Sequence, residues 1–436
     1  MLKVYENSQN YTAVVVRLNA VYQLAKLDNL VGAAFFGNQV LLGKDYPIGD
    51  LYLFIPAGTV VSQGFLSKNN LFSDVALNDD KTQKGYFTNS CRVKAVRFRG
   101  NTSTGVLLKL DSLKKLGIDT TKLAEGQEFN EIHGVKICEK YIVPTKGSAN
   151  TPKSEKTIDK IVSSKQAPEH HKSLHLLKFI HDLDIKRFAL TVKLHGCSGR
   201  TFNTLTRRQL TWKDKLAKWC GIQVQEEEYN YVVGSRHVIK SVGFKATSFK
   251  QHFYKADLWT QSAEEFLKGK LHPGEGVYYE LIGKLYDNGG PIQGGYTYGF
   301  LKPELYVYRI THITKDGTEI DLAWPQVKAR CQEMGLHHCP EIFYGTLDEF
   351  FLKNGLSPDK GKEKEVLAEY LQSLLDKPSI LDNSVVEEGY VMRLERYPTP
   401  HHYKIKAPKF LLHETKLQDE GISDPEEELA TDFIQK

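Results

Sequence analysis

The chain has 436 residues, of which 41% are hydrophobic and 25% are charged, and its formal net charge is +5. This composition is typical of a globular protein with two or three domains and excludes a largely disordered chain. The polar amino terminus lacks a signal-peptide core, and no apolar run approaches the roughly 18 residues that a membrane helix needs. We therefore expect a cytoplasmic protein without membrane contact, and nuclear or organellar placement stays open.

Charge is unevenly distributed along the chain. Residues 414–436 contain eight acids and two bases, so this predicted acidic tail carries −6 and residues 1–413 carry +11. A basic body suits a polyanion such as nucleic acid, although charge alone does not separate this hypothesis from a merely solvated surface.

The first 143 residues consist of short β-rich runs separated by turn residues, among them YTAVVVRL, LYLFIPAGTVV and CRVKAVRFRG. Helical signals are few, which predicts a small β-barrel or sandwich. In the third run, Arg92, Lys94, Val96 and Phe98 share one strand face. Basic and aromatic side chains on such a face are typical of a nucleic-acid-binding module, but charges also protect an edge strand.

Residues 144–168 read as a flexible basic linker, because they are rich in Ser, Thr, Lys and Pro and have little hydrophobic periodicity. After the linker, the helical segments SLHLLKFIHDL and KEVLAEYLQSLLD alternate with strands. This alternation predicts a second domain at residues 169–413.

Several strands of the second domain end in polar residues that suggest a site. In RFALTVKL, Lys193 lies on the face opposite Phe188, Leu190 and Val192, just before a glycine turn, so its amine can reach a pocket. Three further strands carry candidate residues, namely Glu280 in VYYELIG, Glu388 in EEGYVMRLE, and Lys404 with Lys406 in YKIKAPKF. Each alone is compatible with a solvated strand end or edge, and their joint occurrence in this order favours a site.

In this order, the motifs resemble those shared by ATP-dependent ligases and mRNA capping enzymes. They are KLHG at 193–196, SR at 235–236, YYELIG at 278–283, YVYR at 306–309, EEGYVMR at 387–393 and KIK at 404–406. Histidine in the first motif, where DNA ligases usually have aspartate, favours the RNA ligases. The amino-terminal runs and KLHGCSGR resemble the Deinococcus-type RNA ligases, whose OB domain comes first. Only 30 residues follow Lys406, too few for the carboxy-terminal OB domain of DNA ligases and capping enzymes.

This resemblance implies an α+β fold. An OB-like β-barrel at residues 1–143 would precede the linker at 144–168 and a nucleotidyltransferase domain at 169–413, with antiparallel sheets flanked by helices, and the acidic tail at 414–436 would follow. The implied activity is that of a monomeric ATP-dependent RNA ligase using Mg²⁺ or Mn²⁺ in RNA repair. It would seal 3′-hydroxyl/5′-phosphate breaks in RNA or an RNA-containing duplex, above all nicks with an RNA 3′-hydroxyl end.

The resemblance also implies a role for each candidate residue. Lys193 would attack the α-phosphorus of ATP and hold AMP as a lysyl phosphoramidate, which requires an unprotonated amine. Lys404, Lys406 and a metal organised by Glu388 would lower the pKa of Lys193 and neutralise charge on the phosphate. The further nucleotide contacts would be Val192, His195 and Gly196 in the first motif, Arg200 at a phosphate, Arg236 at the sugar or acceptor strand, Glu280 at the ribose hydroxyls and Tyr308 stacked on adenine.

Some positions depart from the family pattern. Val192 stands where several RNA ligases have an acid, and Arg309 follows the stacking aromatic where Asp is commoner. Two alternative functions stay open, an RNA guanylyltransferase and a catalytically idle nucleic-acid-binding protein with the same fold.

Two other segments invite a functional interpretation. The glycine-rich loop at 286–299 could cradle a phosphate, but a hairpin connection explains it better. The segment CQEMGLHHC could offer Cys331, His337, His338 and Cys339 to zinc, although this spacing matches no closed structural site.

Overall fold

The computed structural model describes residues 1–143, 161–246, 257–287 and 289–422. These residues form helices and predominantly antiparallel sheets, so the predicted α+β class is confirmed. Within the same ranges, no helix combines the length and the apolar character needed to cross a bilayer.

The amino-terminal residues form short antiparallel strands, as predicted. The largest sheet has the order Gly105–Lys109, Leu51–Pro56, Ala13–Arg17 and Glu128–Phe129. Alternate residues of a strand point to opposite faces, so Val15 and Val14 enter two separate apolar clusters and both faces of this sheet are covered. The other strands are Leu2–Lys3, Tyr22–Gln23, Leu30–Phe35, Asn38–Gly43, Thr59–Val61, Val96–Phe98, Asn101–Ser103, Glu131–Ile132, Val135–Lys136 and Cys138–Lys140.

A five-stranded sheet forms the first layer of the second part of the chain. Its order is Leu174–His175, His401–Lys406, Gly389–Leu394, Arg187–Lys193 and Glu341–Thr346, and all neighbours but the first pair are antiparallel. Phe188, Leu190 and Val192 bury one face in the same apolar cluster as Tyr403 and Ile405. The predicted alternation in these two strands is therefore confirmed.

An eight-stranded sheet forms the second layer. Its order is Lys245–Ala246, Ile239–Val242, Glu227–Ser235, Cys197–Arg207, Glu275–Gly283, Pro303–Ile313 and Glu319–Asp321, and His337–His338 pairs in parallel with Pro303–Ile313. Val277, Tyr279 and Leu281 pack in a core that includes the buried Trp259 and Trp324. The loop at 286–299, of which residue 288 lies outside the described residues, joins two antiparallel neighbours, as a hairpin connection requires.

Most helices after residue 168 pack against the two sheets. The α-helices of the described residues are Gln63–Lys68, Asp111–Lys114, Leu176–Phe179, Trp212–Trp219, Leu258–Leu267, Trp324–Met334, Leu347–Lys353, Glu363–Ser373 and Pro408–Asp419. Single 3₁₀ turns occur at Glu6–Ser8, Val75–Leu77, Ser164–Gln166 and Ile180–Asp182. Both segments predicted to be helical contain helix, although SLHLLKFIHDL is divided between one short α-helix and a 3₁₀ turn.

The last part of the predicted linker packs against the eight-stranded sheet. Val162 is 1% exposed, and the Gln166 side chain donates to the carbonyl of Lys315 at 3.1 Å while accepting from the Thr204 hydroxyl at 2.7 Å. Residues 161–168 are thus held by the second part of the chain. The rest of the predicted linker, residues 144–160, lies outside the described residues.

The two parts of the chain contact each other through ion pairs that include the buried Arg92. Lys178 forms an ion pair with Glu128 and donates to the Thr12 hydroxyl at 2.8 Å. Arg92, whose side chain is 1% exposed, pairs with Asp419 at the end of helix Pro408–Asp419, with 2.5 Å between nitrogen and oxygen. The first residues of the predicted acidic tail therefore belong to a helix that contacts the amino-terminal part.

Candidate active site

Three neighbouring strands place the candidate catalytic residues side by side. Lys193 lies opposite Gly389 in one strand pair, and Gly389 lies opposite Lys406 in the next. A Cβ at Gly389 would stand 2.0 Å from the Ile405 carbonyl oxygen, so only glycine allows this close pairing. Glu388, which precedes the glycine, is thereby brought between the two lysines.

Glu388 is the nearest charge to the proposed nucleophile. Its carboxylate is 2% exposed and lies 2.7 Å from Lys193 Nζ and 3.8 Å from Lys406 Nζ. Burial, the largest single effect, lowers the pKa of Lys193, and so does the repulsion by Lys406, but Glu388 and Glu280 together outweigh both, so that pKa is raised. The expected cation-lowered amine is therefore not what this arrangement produces, because Glu388 contacts the lysine directly.

Lys406 has a second acidic partner that the sequence did not indicate. Glu414, one and a half turns into helix Pro408–Asp419, lies 2.7 Å from Lys406 Nζ. Glu414 and Glu388 together raise the pKa of Lys406 despite its burial. A row of alternating charges thus runs from Lys193 through Glu388 and Lys406 to Glu414.

Lys404 lies in a different electrostatic environment. Burial and the repulsion of Lys406, Arg236 and Lys193 hold the pKa of Lys404 well below its ordinary value. Within the described ranges, Lys404 has no acidic partner. A buried amine beside three cations is suited to an anionic ligand, since an anion would offset their mutual repulsion.

The turn after Lys193 is held by the hairpin loop at 286–299. The His195 backbone N–H donates to the Tyr298 hydroxyl at 2.8 Å, and the Gln293 side chain donates to the Gly196 carbonyl at 2.9 Å. Gly196 N–H in turn donates to Glu280 at 3.1 Å. The loop that the sequence offered as a phosphate cradle therefore fixes the shape of the lysine turn.

His195 is enclosed by aromatic rings. Its imidazole meets Tyr296 and Phe410 edge-on, with centroid distances of 5.0 and 4.8 Å. Burial, together with the nearby lysines, holds the pKa of His195 well below its usual value, so the ring is neutral at physiological pH. Its Nδ1 is 3.7 Å from Glu388.

Tyr308 lies at a bulge in the pairing of strands Glu275–Gly283 and Pro303–Ile313. Its hydroxyl is 3.0 Å from Ser198 Oγ and 2.7 Å from His170 Nδ1. Both partners hold the ring through its hydroxyl group. Neither was found from the sequence, because His170 stands at the boundary of a low-complexity segment and Ser198 is an unremarkable strand residue.

The remaining predicted contacts have different surroundings. Arg200 is 2% exposed and donates to the carbonyls of Ala167 and Pro168 at 3.3 and 2.5 Å. Val192 is 1% exposed and packs in the apolar core. Arg236 is close enough to lower the pKa of both Lys404 and His170.

The contacts of Arg309 explain how the protein accommodates an arginine at this position. Its guanidinium donates to both carboxylate oxygens of Asp321 at 2.6 and 2.8 Å, pairs with Glu319 at 3.0 Å, and lies over the Tyr278 ring at 4.4 Å. Such bidentate pairing fixes the side chain firmly. Arg309 therefore connects its own strand to both neighbouring strands of the sheet.

The cysteine and histidine segment at 331–339 does not converge on one point. His337 stacks on Tyr306, His338 meets Trp324 edge-on, and burial raises the pKa of Cys331 to about 12. In the described part of the chain, no group of three or more His, Cys, Asp or Glu side chains is placed to hold a metal ion.

A metal ion would instead be bound by Glu388 together with oxygen atoms of a bound ligand. One carboxylate oxygen of Glu388, Oε2, is buried and has no hydrogen-bond partner among the described residues. Mg²⁺ is commonly held by one or two carboxylates together with substrate phosphates. The residues present fit a divalent cation bound in this way.

The sequence comparison identifies one family, and the structure comparison shows a shared fold. The model of the RNA ligase family matches residues 186–406, just over half of the chain. Three solved structures of Naegleria gruberi RNA ligase superpose along most of both chains. An apo mutant has a TM-score of 0.56 at 14% identity, covering 94% of this chain and 100% of that one.

The other two structures carry ligands. A mutant with ATP and Mn has a TM-score of 0.55 at 15% identity and covers 92% and 98% of the two chains. The structure with PPi has a TM-score of 0.55 at 14% identity, covering 93% of this chain and 98% of that one. These structural similarities show that the chain shares the fold of the Naegleria enzyme. No curated protein matches the chain.

Proposed function

The chain belongs to the RNA ligase family, and we propose that it is an ATP-dependent RNA ligase acting through a lysyl-AMP intermediate on Lys193. The observation that carries the proposal is the row of Lys193, Glu388 and Lys406, with Lys404 beside it, on three adjacent strands. The Naegleria enzyme of the same fold was solved with ATP and Mn, which is consistent with this assignment.

The proposed reaction has three steps. The Lys193 amine forms a bond to the α-phosphorus of ATP as pyrophosphate leaves, and the lysine proton passes to solvent. AMP then moves to the 5′-phosphate of an RNA end, which regenerates the amine. Finally a 3′-hydroxyl attacks this activated phosphate, closes the phosphodiester bond and releases AMP.

Glu388 has two functions in this scheme. In the free enzyme it holds Lys193 protonated at 2.7 Å and so keeps the amine fixed. A divalent cation, Mg²⁺ or Mn²⁺, would supply charge that neutralises the phosphate oxygens and would compete with Lys193 for the Glu388 carboxylate. Once Glu388 is engaged elsewhere, burial and Lys406 favour the neutral, nucleophilic lysine.

The other residues position the nucleotide. Lys404, surrounded by cations, is proposed to contact the phosphates, while Lys406 is kept charged by Glu414. Tyr308, fixed through its hydroxyl, offers its ring to adenine, and Glu280 would bind the ribose hydroxyls. Further contacts proposed from the family pattern are those of Val192, His195, Gly196, Arg200 and Arg236.

The amino-terminal part is proposed to be a Deinococcus-type OB domain that helps to hold RNA. Its short antiparallel strands, its place before the nucleotidyltransferase domain and the charge of +11 on residues 1–413 support this assignment. The preferred substrate would be a nicked duplex with ribonucleotides at the 3′-hydroxyl end, since a site built to bind the 2′-hydroxyl discriminates against DNA. We propose a monomer as the active species.

Labelling with nucleotide tests the first step. The protein is incubated with α-labelled ATP or GTP and a divalent metal and then separated on a denaturing gel. Covalent label from ATP alone, lost in Lys193→Ala, is expected. Label from GTP alone would support a guanylyltransferase, and label from neither would indicate an idle nucleic-acid-binding protein.

Nicked duplexes test the substrate. Three duplexes that differ only in the sugars flanking the break are compared for sealing. We expect fast sealing with RNA at the 3′-hydroxyl end, slow sealing when that end is DNA, and tolerance of DNA in the 5′-phosphate strand. Equal rates for an all-DNA nick and an RNA-ended nick would contradict the proposed specificity.

A further inference from the structure

An exposed aromatic helix lies away from the candidate active site. Helix Trp212–Trp219 joins the antiparallel strands Cys197–Arg207 and Glu227–Ser235, and none of its eight residues is buried. A capping box between Thr211 and Asp214 makes its start well defined. The helix is therefore built into the hairpin, although it contributes nothing to the core.

The exposed apolar residues of this helix form one stripe. Trp212, Leu216 and Trp219 are 71%, 51% and 83% exposed and are spaced i, i+4 and i+7, which places them on one helical face. The other two of the four tryptophans, Trp259 and Trp324, are buried. Two tryptophans exposed on one helical face, about two turns apart, lose favourable burial, so a bound partner is the natural explanation.

The charges around the stripe are arranged in two groups. At about 100° per residue, Lys213 and Lys215 flank the stripe on its two sides. Asp214 and Lys218 lie on the opposite face, where they pair with Arg208 at 3.0 Å and Glu226 at 2.6 Å.

The two flanking lysines differ from these paired residues. Within the described ranges neither Lys213 nor Lys215 has an acidic partner, although Lys213 lies 5.8 Å from the Trp212 ring. The exposed acids Glu227 and Glu228 lie on the following strand and not on the helix. The stripe is thus an aromatic surface bordered by free positive charge.

Aromatic rings bordered by lysines suit an RNA strand, because bases stack on the rings while phosphates meet the ammonium groups. A two-turn helix is short for an interfacial membrane anchor. We propose that this Trp helix is an auxiliary RNA-binding surface that holds the substrate strand at a distance from the break. The inference rests on the proposed RNA ligase function.

Geometry predicts how far from the break this contact occurs. Strand Cys197–Arg207 starts beside the Lys193 turn and runs eleven residues to the helix. At about 3.3 Å per residue the helix lies up to about 35 Å from the turn. This span corresponds to about ten nucleotides of a duplex strand. Only substrates with longer arms would reach the Trp helix.

The test compares two substrate lengths and three variants. Trp212→Ala/Trp219→Ala removes the rings, Lys213→Gln/Lys215→Gln removes the flanking charge, and Lys218→Gln is the matched control on the opposite face. Affinity is measured by fluorescence anisotropy with labelled nicked RNA whose arms are about six or about twenty base pairs long. Circular dichroism and self-adenylylation report on folding and on the active site.

We expect the tryptophan variant to bind the long substrate at least tenfold more weakly and the short substrate as wild type does. The lysine variant should lower the slope of log affinity against log salt by one to two on the long substrate alone, and Lys218→Gln should resemble wild type. Adenylylation should be unchanged in all three.

Three results would overturn the inference. They are equal long-substrate affinity in wild type and the tryptophan variant, an equal loss on both lengths, and binding of the helix to anionic vesicles or to a second copy instead of RNA. If the wild-type protein neither labels with ATP nor seals any substrate, the proposed function itself fails, which is a distinguishable outcome.

Discussion

The ammonium group of Lys406 lies 2.7 Å from a carboxylate oxygen of Glu414. Lys406 ends a strand of the candidate active site, whereas Glu414 belongs to the helix that also contacts the amino-terminal part through Asp419. Helix Pro408–Asp419 therefore contributes one charge to the candidate active site and another to the contact between the two parts of the chain.

Loss of Glu414 should slow self-adenylylation. Glu414→Gln removes one of two acids that raise the pKa of Lys406, so we expect the high-pH limit of the labelling rate to move to lower pH and the rate at neutral pH to fall by about tenfold. The measurement is labelling rate against pH. Glu414→Asp should restore part of the rate. Glu420→Gln, an exposed carboxylate just after the same helix, is the control, and equal profiles for both Gln variants would refute the role.

The Arg92–Asp419 pair should stabilise the contact between the two parts. Arg92 also donates to the Thr415 carbonyl at 3.2 Å, so Arg92→Ala leaves several groups without a partner. We expect a loss of about 1–3 kcal/mol in the free energy of unfolding, less than for a fully buried pair because Asp419 is 44% exposed.

A double-mutant cycle of Arg92→Ala and Asp419→Ala, followed by urea denaturation, isolates the pair. Additive losses would mean that Arg92 acts through other contacts. Lys109→Ala, which breaks an exposed pair with Asp45, is the control and should change stability little.

Gly389→Ala should disrupt the central strand pairing. The added Cβ would meet the Ile405 carbonyl at 2.0 Å, which forces strands Gly389–Leu394 and His401–Lys406 apart. We expect destabilisation of about 3 kcal/mol or more and loss of labelling. Gly64→Ala, in helix Gln63–Lys68 with no atom near the new Cβ, should be neutral or slightly stabilising. Similar thermal midpoints for the two variants would contradict the strand geometry.

Glu387 should make stability fall as pH rises. Burial raises its pKa to about 7 from an ordinary value of 4.5, so the folded chain binds a proton that the unfolded chain has lost between these two values. Stability due to this group therefore decreases from about pH 4.5 to about pH 7 and stays low above that. Glu387→Gln should be more stable than wild type above pH 7, by on the order of 1–3 kcal/mol, and no different below pH 4. Urea denaturation across this range measures the difference, and a gain that does not vary with pH would exclude ionisation of Glu387 as the cause.

The sequence by itself determined the elements that carry the site. Strand alternation placed Lys193 opposite Phe188, Leu190 and Val192, and it placed Lys404 and Lys406 on one face, because side-chain direction in a strand has a period of two whatever the tertiary fold. The order of short motifs indicated the RNA ligase family, which the family match at residues 186–406 confirms.

Tertiary structure decided which charges face one another. The sequence left Arg92 and Lys94 between an RNA-binding face and a protected edge, and folding directs both to Asp419, 327 and 325 positions away. It likewise predicted that Lys404, Lys406 and a bound metal would lower the pKa of Lys193, and in the chain alone Glu388, together with Glu280, raises that pKa. Pairings between distant residues depend on which strands become neighbours, and Coulomb energy changes over a few ångströms. Neither the pairing with Asp419 nor the pKa of Lys193 could therefore be predicted from local sequence pattern or composition.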